Sequence, residues 1–185
     1  MNYIQTLDEA FIIFVNGWHR PWLDSCMLFL SAKSTWIPLY VMIVGLFIKK
    51  YREKSWFYIL LLVCCVAIAD SVSSGMAKPF FQRLRPCYNT KLFLHMLSSC
   101  GGRYGFFSSH AANAFALTVF TTHHIQHKSM RYFMYLSAIL VSLSRIYLAK
   151  HYFTDVFVGA LFGTMVAYVI YCFSQSGIVK KFFRL

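Results

Sequence analysis

The stretch Ser144-Arg-Ile-Tyr-Leu-Ala-Lys-His-Tyr-Phe-Thr-Asp155 places Arg145, Lys150, His151 and Asp155 between two long apolar runs. Charge at the edge of hydrocarbon is costly and marks function more often than not. His151 and Asp155 stand four residues apart, so one helical turn puts them on a common face. A carboxylate holding one imidazole nitrogen leaves the other free to face a substrate. Plain structural pairing would use the same spacing. Lys78 and Arg85 are seven residues apart, about two turns along one helix face, where a point charge and a fork could meet one anion. Snorkelling at a helix end accounts for that pair as well. Phe107-Ser108-Ser109-His110 opens a third apolar run. Hydroxyls and free N–H groups at a helix N-terminus attract anions, and His110 beside them could protonate a leaving oxygen. A simple cap by Ser108 or Ser109 would need no further role. Together the clusters supply the cations Lys78, Arg85 and Arg145, hydroxyls, two histidines and a carboxylate. That inventory suits phosphoryl transfer through a covalent phosphohistidine, with cations stabilising the equatorial oxygens.

The elements that must position these residues are membrane elements. Of 185 residues, 58% are hydrophobic and 13% charged, against about 25% charged in a soluble domain. The formal net charge is +12, from 18 Lys and Arg against 6 Asp and Glu. Cytoplasmic loops and anionic lipid or phosphate partners both explain such an excess. A nucleic-acid partner does not fit, because no soluble basic domain is present to carry it. Asp8 and Glu9 in the first 22 residues, with no basic leader, argue against a cleavable signal peptide.

Residues 1–33 are expected to form amphipathic interfacial helices, one ending near Asn16-Gly17 and a second opened by Pro21. Residues 34–185 are expected to form an all-α transmembrane domain of about five helices in a bundle. The spans run from Trp36 to Ile48, Trp56 to about Ala77, Phe106 to Thr122, Tyr132 to Ala149 and Val156 to Val179. Gly159, Gly163 and Ala167 make a small-residue stripe suited to close helix packing. Lys49, Lys50, Arg52 and Lys54 join the first two spans, Lys128 and Arg131 the next pair, and Lys180, Lys181 and Arg184 end the chain. These ends are expected in the cytoplasm, with the chemistry on the opposite side. His123, His124 and His127 lie on the cytoplasmic side and are not expected to bind zinc. Asp70, Ser71, Ser73 and Ser74 are expected to be buried polar partners and packing residues.

In order, Lys78-x6-Arg85-Pro86, Ser108-x-His110 and Ser144-Arg145-x5-His151-x3-Asp155 resemble the motifs of the phosphatidic acid phosphatase type 2 superfamily, which includes lipid phosphate phosphatases and vanadium haloperoxidases. The resemblance covers Lys78 to Asp155 and extends through the last helix. It implies an all-helical core and no metal or other cofactor. It makes His151 the nucleophile, Asp155 its orienting partner and His110 the general acid. Lys78, Arg85, Ser108 and Arg145 become phosphate binders, with Ser109 adding its backbone N–H. Phe107 stands where the family has Pro, and Ser109 where it has Gly, so the turn here lacks glycine's freedom. No additional N-terminal transmembrane helix is expected.

The resulting expectation is a membrane lipid phosphatase of a bacterial inner membrane, its active site facing outward. Undecaprenyl diphosphate is the favoured substrate, ahead of lipid A and phosphatidylglycerol phosphate. The rival of another class is an anionic-lipid-binding or transport protein, which would need no nucleophile. Cys87 and Cys100 fall in the outward loop, where a disulfide is permitted, and would hold Arg85 near the Ser108–His110 turn.

Overall fold

A computed structural model describes residues 3–177, 179 and 181. The long helices are α1 (Tyr3–Asn16), α2 (Pro21–Ser31), α3 (Ile37–Tyr51), α4 (Ser55–Ser71), α6 (Ser109–His124), α7 (Lys128–Tyr147) and α8 (Phe153–Ser174). A short α5 (Lys78–Phe81) follows α4 through a wide π turn, Val72–Ala77. Pro79 offers no N–H to the preceding turn and crowds it, and the wide turn accommodates this without a break. No strand occurs among the described residues; Leu84 and Tyr104 form an isolated bridge. Of the basic residues at the end of the chain, Lys180 and Arg184 lie outside the described residues.

Helix boundaries follow local chemistry. Pro21 and Pro38 stand in the first turns of α2 and α3, where no N–H is needed. Ser108 caps α6, its hydroxyl accepting from the Ala111 N–H at 3.4 Å, so that helix begins at Ser109 and not at Phe106. The expected single helix face from Lys78 to Arg85 does not form. Gln82 turns left-handed (φ 48°, ψ 26°) and ends α5, and Arg85, before Pro86, is extended (φ −68°, ψ 152°).

α6 is the axis of the bundle, with α8, α7 and α4 packed around it. Gly159 and Gly163 set the α6–α8 distance. A methyl at Gly159 would lie 2.5 Å from the Ser108 carbonyl oxygen, and one at Gly163 would overlap the Ala112 backbone. Phe47, Leu62, Ala116, Phe120, Met134 and Ala167 fill the core. The segments Lys33–Phe81 and Phe153–Ser174, of 49 and 22 residues, are long and apolar enough to cross a membrane. α1 is inverted relative to a helix of a soluble protein. Its inward stripe is Asp8, Ile12 and Asn16, whereas Ile4, Leu7, Phe11 and Phe14 face outward.

Candidate active site

The loop at residues 148–152 brings the chemistry together. The N–H groups of Lys150 and His151 both donate to the Arg145 carbonyl, at 3.0 and 3.2 Å, folding the loop onto the end of α7. His151 is thereby buried. Its Nδ1 stands 3.7 Å from Asp155 Oδ2, within ion-pair range and long for a hydrogen bond. Such contacts are often long before substrate binds. Asp155 opens α8 and its Oδ2 accepts from the Tyr152 N–H at 3.0 Å. The Asp155 carbonyl accepts from the Ser108 N–H at 2.9 Å, which ties the starts of α6 and α8 together. Burial pushes the His151 imidazole down to about 4, the nearby Asp155 carboxylate opposing the shift and Arg85 and Arg145 adding to it. At neutral pH the ring is therefore uncharged, the form a nucleophile needs.

His151 lines a cavity of about 750 Å³. Lys78, Arg85, Arg145, His110 and Ser109 line it too, and Lys33 joins them from the segment before α3. Most of the remaining wall is apolar, with Ile43, Val44, Leu62, Val63, Leu117 and Val141 among its residues. Lys78 Nζ donates to Ser109 Oγ at 2.5 Å, and Ser73 and Ser74 meet the same oxygen at 2.7 and 2.9 Å. Arg85 is aimed by the Tyr104 and Cys100 carbonyls, each 3.2 Å from a guanidinium nitrogen. Cys87 and Cys100 form a disulfide (Cα–Cα 6.1 Å) that closes this loop. Arg145 donates to Ser31 of α2. Preorganised cations over an apolar channel can hold a phosphate whose lipid stays in hydrocarbon.

Two expected positions are arranged differently. Ser108 is fully buried with its hydroxyl used as the α6 cap, so the cavity meets Ser109 instead. Asp155 sits behind His151, off the cavity wall. Asp70 accepts from Asn113 Nδ2 at 2.8 Å, and both line the channel. His123, His124 and His127 do not converge. They meet the Val119 carbonyl, Tyr51 and Ser129, respectively.

Sequence reasoning passed over Arg83. Its Nη1 donates to Asp155 Oδ1 at 2.6 Å and to Thr154 Oγ1 at 2.7 Å, and its Nη2 donates to Asp8 Oδ2 at 2.7 Å. One hint was present: Arg83 is a further basic residue between Lys78 and Arg85. His19, Asp24 and His95 form another unforeseen cluster, with ligand-type atoms within 4.8 Å of one another. Asp24 there accepts from His19 Nδ1 at 2.9 Å and from the Tyr147 hydroxyl.

The model of the PAP2 superfamily matches residues 54–177. A lipid A 4'-phosphatase of Porphyromonas gingivalis is 31% identical over 175 residues, covering 92% of this chain and 74% of that one. Phosphatidylglycerophosphatase B of Bacillus subtilis is 30% identical over 194 residues, covering 98% and 89%. A crystal structure of a transmembrane PAP2-type phosphatidylglycerolphosphate phosphatase from Bacillus subtilis superposes with a TM-score of 0.74. It shares 23% identity and covers 95% of this chain and 88% of that one. This chain belongs to the PAP2 superfamily and is an all-helical membrane phosphatase.

Proposed function

We propose that the protein removes a phosphate monoester from a membrane lipid through a phosphohistidine at His151, with the 4'-phosphate of lipid A as the favoured group. The carrying observation is the joint placement of His151, His110, Lys78, Arg85 and Arg145 on the wall of one cavity that is otherwise lined mostly by apolar side chains. His151 Nε2 attacks phosphorus while Asp155 faces the protonated Nδ1. The N–P bond forms, the P–O bond to the lipid breaks, and His110 gives its proton to the leaving oxygen. Water, deprotonated by His110, then attacks phosphorus, cleaving the N–P bond and releasing phosphate. Lys78, Arg85 and Arg145 offset the charge on the equatorial oxygens without a metal.

The relative from Porphyromonas gingivalis supports lipid A as substrate, displacing undecaprenyl diphosphate from first place. The longer match to phosphatidylglycerophosphatase B supports phosphatidylglycerol phosphate as the second choice. In the bilayer, α3, α4 with α5, α6, α7 and α8 form five spans. Helices α1 and α2 lie at the interface, where the apolar outer face of α1 meets lipid. Lys49, Lys50, Arg52 and Lys54 share one end of the bundle with Lys128 and Arg131, which supports a cytoplasmic reading of that end and an outward-facing site in the inner membrane.

Phosphate release in detergent, with EDTA present, tests the proposal on lipid A, phosphatidylglycerol phosphate, undecaprenyl phosphate and undecaprenyl diphosphate. Fastest turnover of lipid A is expected. Release from the diphosphate alone would overturn the monoester assignment, and full loss in EDTA restored by magnesium or zinc would overturn the metal-free mechanism.

A further inference from the structure

We propose that Arg83 and Asp8 are positioning residues for the His151–Asp155 pair, which makes α1 a working part of the active site. The inference rests on His151 being the nucleophile. Arg83 is a bridge: one guanidinium nitrogen holds Asp155 Oδ1 at 2.6 Å and the other holds Asp8 Oδ2 at 2.7 Å. Asp8 is closed off on its other side by Thr154, whose N–H donates to Oδ1 at 3.0 Å and whose hydroxyl donates to Oδ2. The Arg83 guanidinium also lies over the Tyr152 ring, 4.4 Å from its centroid. Both residues therefore grip the segment just after His151, Asp8 through Thr154 and Arg83 through Tyr152, Thr154 and Asp155. Asn16, farther along the same face of α1, bonds the His95 backbone and the Tyr147 carbonyl, fixing the helix in register.

The charges explain why two carboxylates are used. An Arg83–Asp155 pair alone would be neutral, and Asp155 would offer little to the positive charge that develops on His151 during attack. Asp8 meets the guanidinium from the opposite side, so the trio of two carboxylates and one cation keeps one net negative charge. That charge matters because, apart from Asp70 of α4, the charged groups that share the cavity with His151 are cations. Arg145 approaches it from α7 and Arg85 from the disulfide loop, while His110, Lys78 and Lys33 stand around the same cavity. Removing Asp8 should disfavour the imidazolium, and removing Arg83 should favour it.

The test measures kcat, KM and the acid limb of kcat/KM for purified Asp8→Asn, Arg83→Gln and Arg83→Lys, on the best lipid of the panel above. Asn16→Ala is the control for loosened α1 docking. For Asp8→Asn and Arg83→Gln, kcat should fall on the order of tenfold or more with KM within about twofold, since misplacement of a catalytic group acts on the chemical step. The acid limb should move down in pH by roughly half a unit for Asp8→Asn and up by a similar amount for Arg83→Gln. Asn16→Ala should lower thermal stability and leave the limb in place. If Arg83→Gln does not accumulate, Arg83→Lys serves: charge is kept and the fork lost, so kcat should fall with the limb unmoved. Unshifted limbs in both charge-removing variants, or kcat of Arg83→Lys equal to wild type, would overturn the inference. His151→Ala is run alongside; turnover surviving in it would remove the nucleophile assignment itself, a separate failure.

Discussion

Two buried histidines stand at opposite ends of α6's surroundings, and they are buried to the same degree, each 1% exposed. His124 ends the helix and its ring is satisfied on both sides: Tyr51 meets Nδ1 at 2.8 Å and Ser174 meets Nε2 at 3.3 Å. Phe120, Tyr58 and Tyr171 enclose it, and Lys50 donates to its carbonyl. His151 has Nδ1 short of a full hydrogen bond and faces a cavity that it shares with Arg85, Arg145 and Lys78. Burial of a histidine therefore distinguishes nothing here. An incompletely used ring on a cavity, under unspent positive charge, marks chemistry; a ring with both nitrogens bonded marks a structural plug.

The contrast is sharpest in the paired alanine variants. His151→Ala should lower turnover by several orders of magnitude while lipid binding persists, because the covalent route is lost. His124→Ala should leave kcat per folded molecule within about twofold and cost about 1–3 kcal/mol of stability, read as a lower melting temperature. Reversal of the two phenotypes would break the comparison. His110→Ala should cost roughly 10²–10⁴-fold, the worth of a general acid. An aryl phosphate, which leaves without protonation, should recover part of that loss; equal losses on both substrates would deny His110 the acid role.

The smallest effect concerns pH. With His151 held near 4, kcat/KM should persist from neutral pH to about 5 and fall below that. The sign for stability follows from the same shift. The unfolded imidazole binds a proton near 6.5 and the folded one does not until near 4, so stability falls as pH drops through that window and is unaffected above it. A thermal-shift series from pH 7 to about 4.5 checks this, with His151→Ala expected to flatten that part of the slope.

Much of the site was legible because motif spacing survives in one dimension. Asp155 had to follow His151 by one turn, and Ser108 had to precede an apolar helix. The helical architecture was equally readable from the apolar runs, including the end of α1 at Asn16 and the start of α2 at Pro21. What escaped depends on long-range approach. Asp8 looked like an ordinary polar residue of an interfacial helix, and only the fold brings it to Arg83, 75 residues away. The Lys78–Arg85 face was misjudged because Gln82 takes a left-handed conformation that no glycine or asparagine announces. Ser31 and Lys33, beside the site, carried no spacing cue at all.

Passage of the phosphate through His151 is open to direct test. Wild-type protein mixed with ³²P-labelled lipid and quenched in alkali, which preserves phosphohistidine, should carry label on the peptide containing His151. The label should survive EDTA and be absent from His151→Ala. Label on another residue, or turnover undiminished in His151→Ala with no label on protein, would contradict the account.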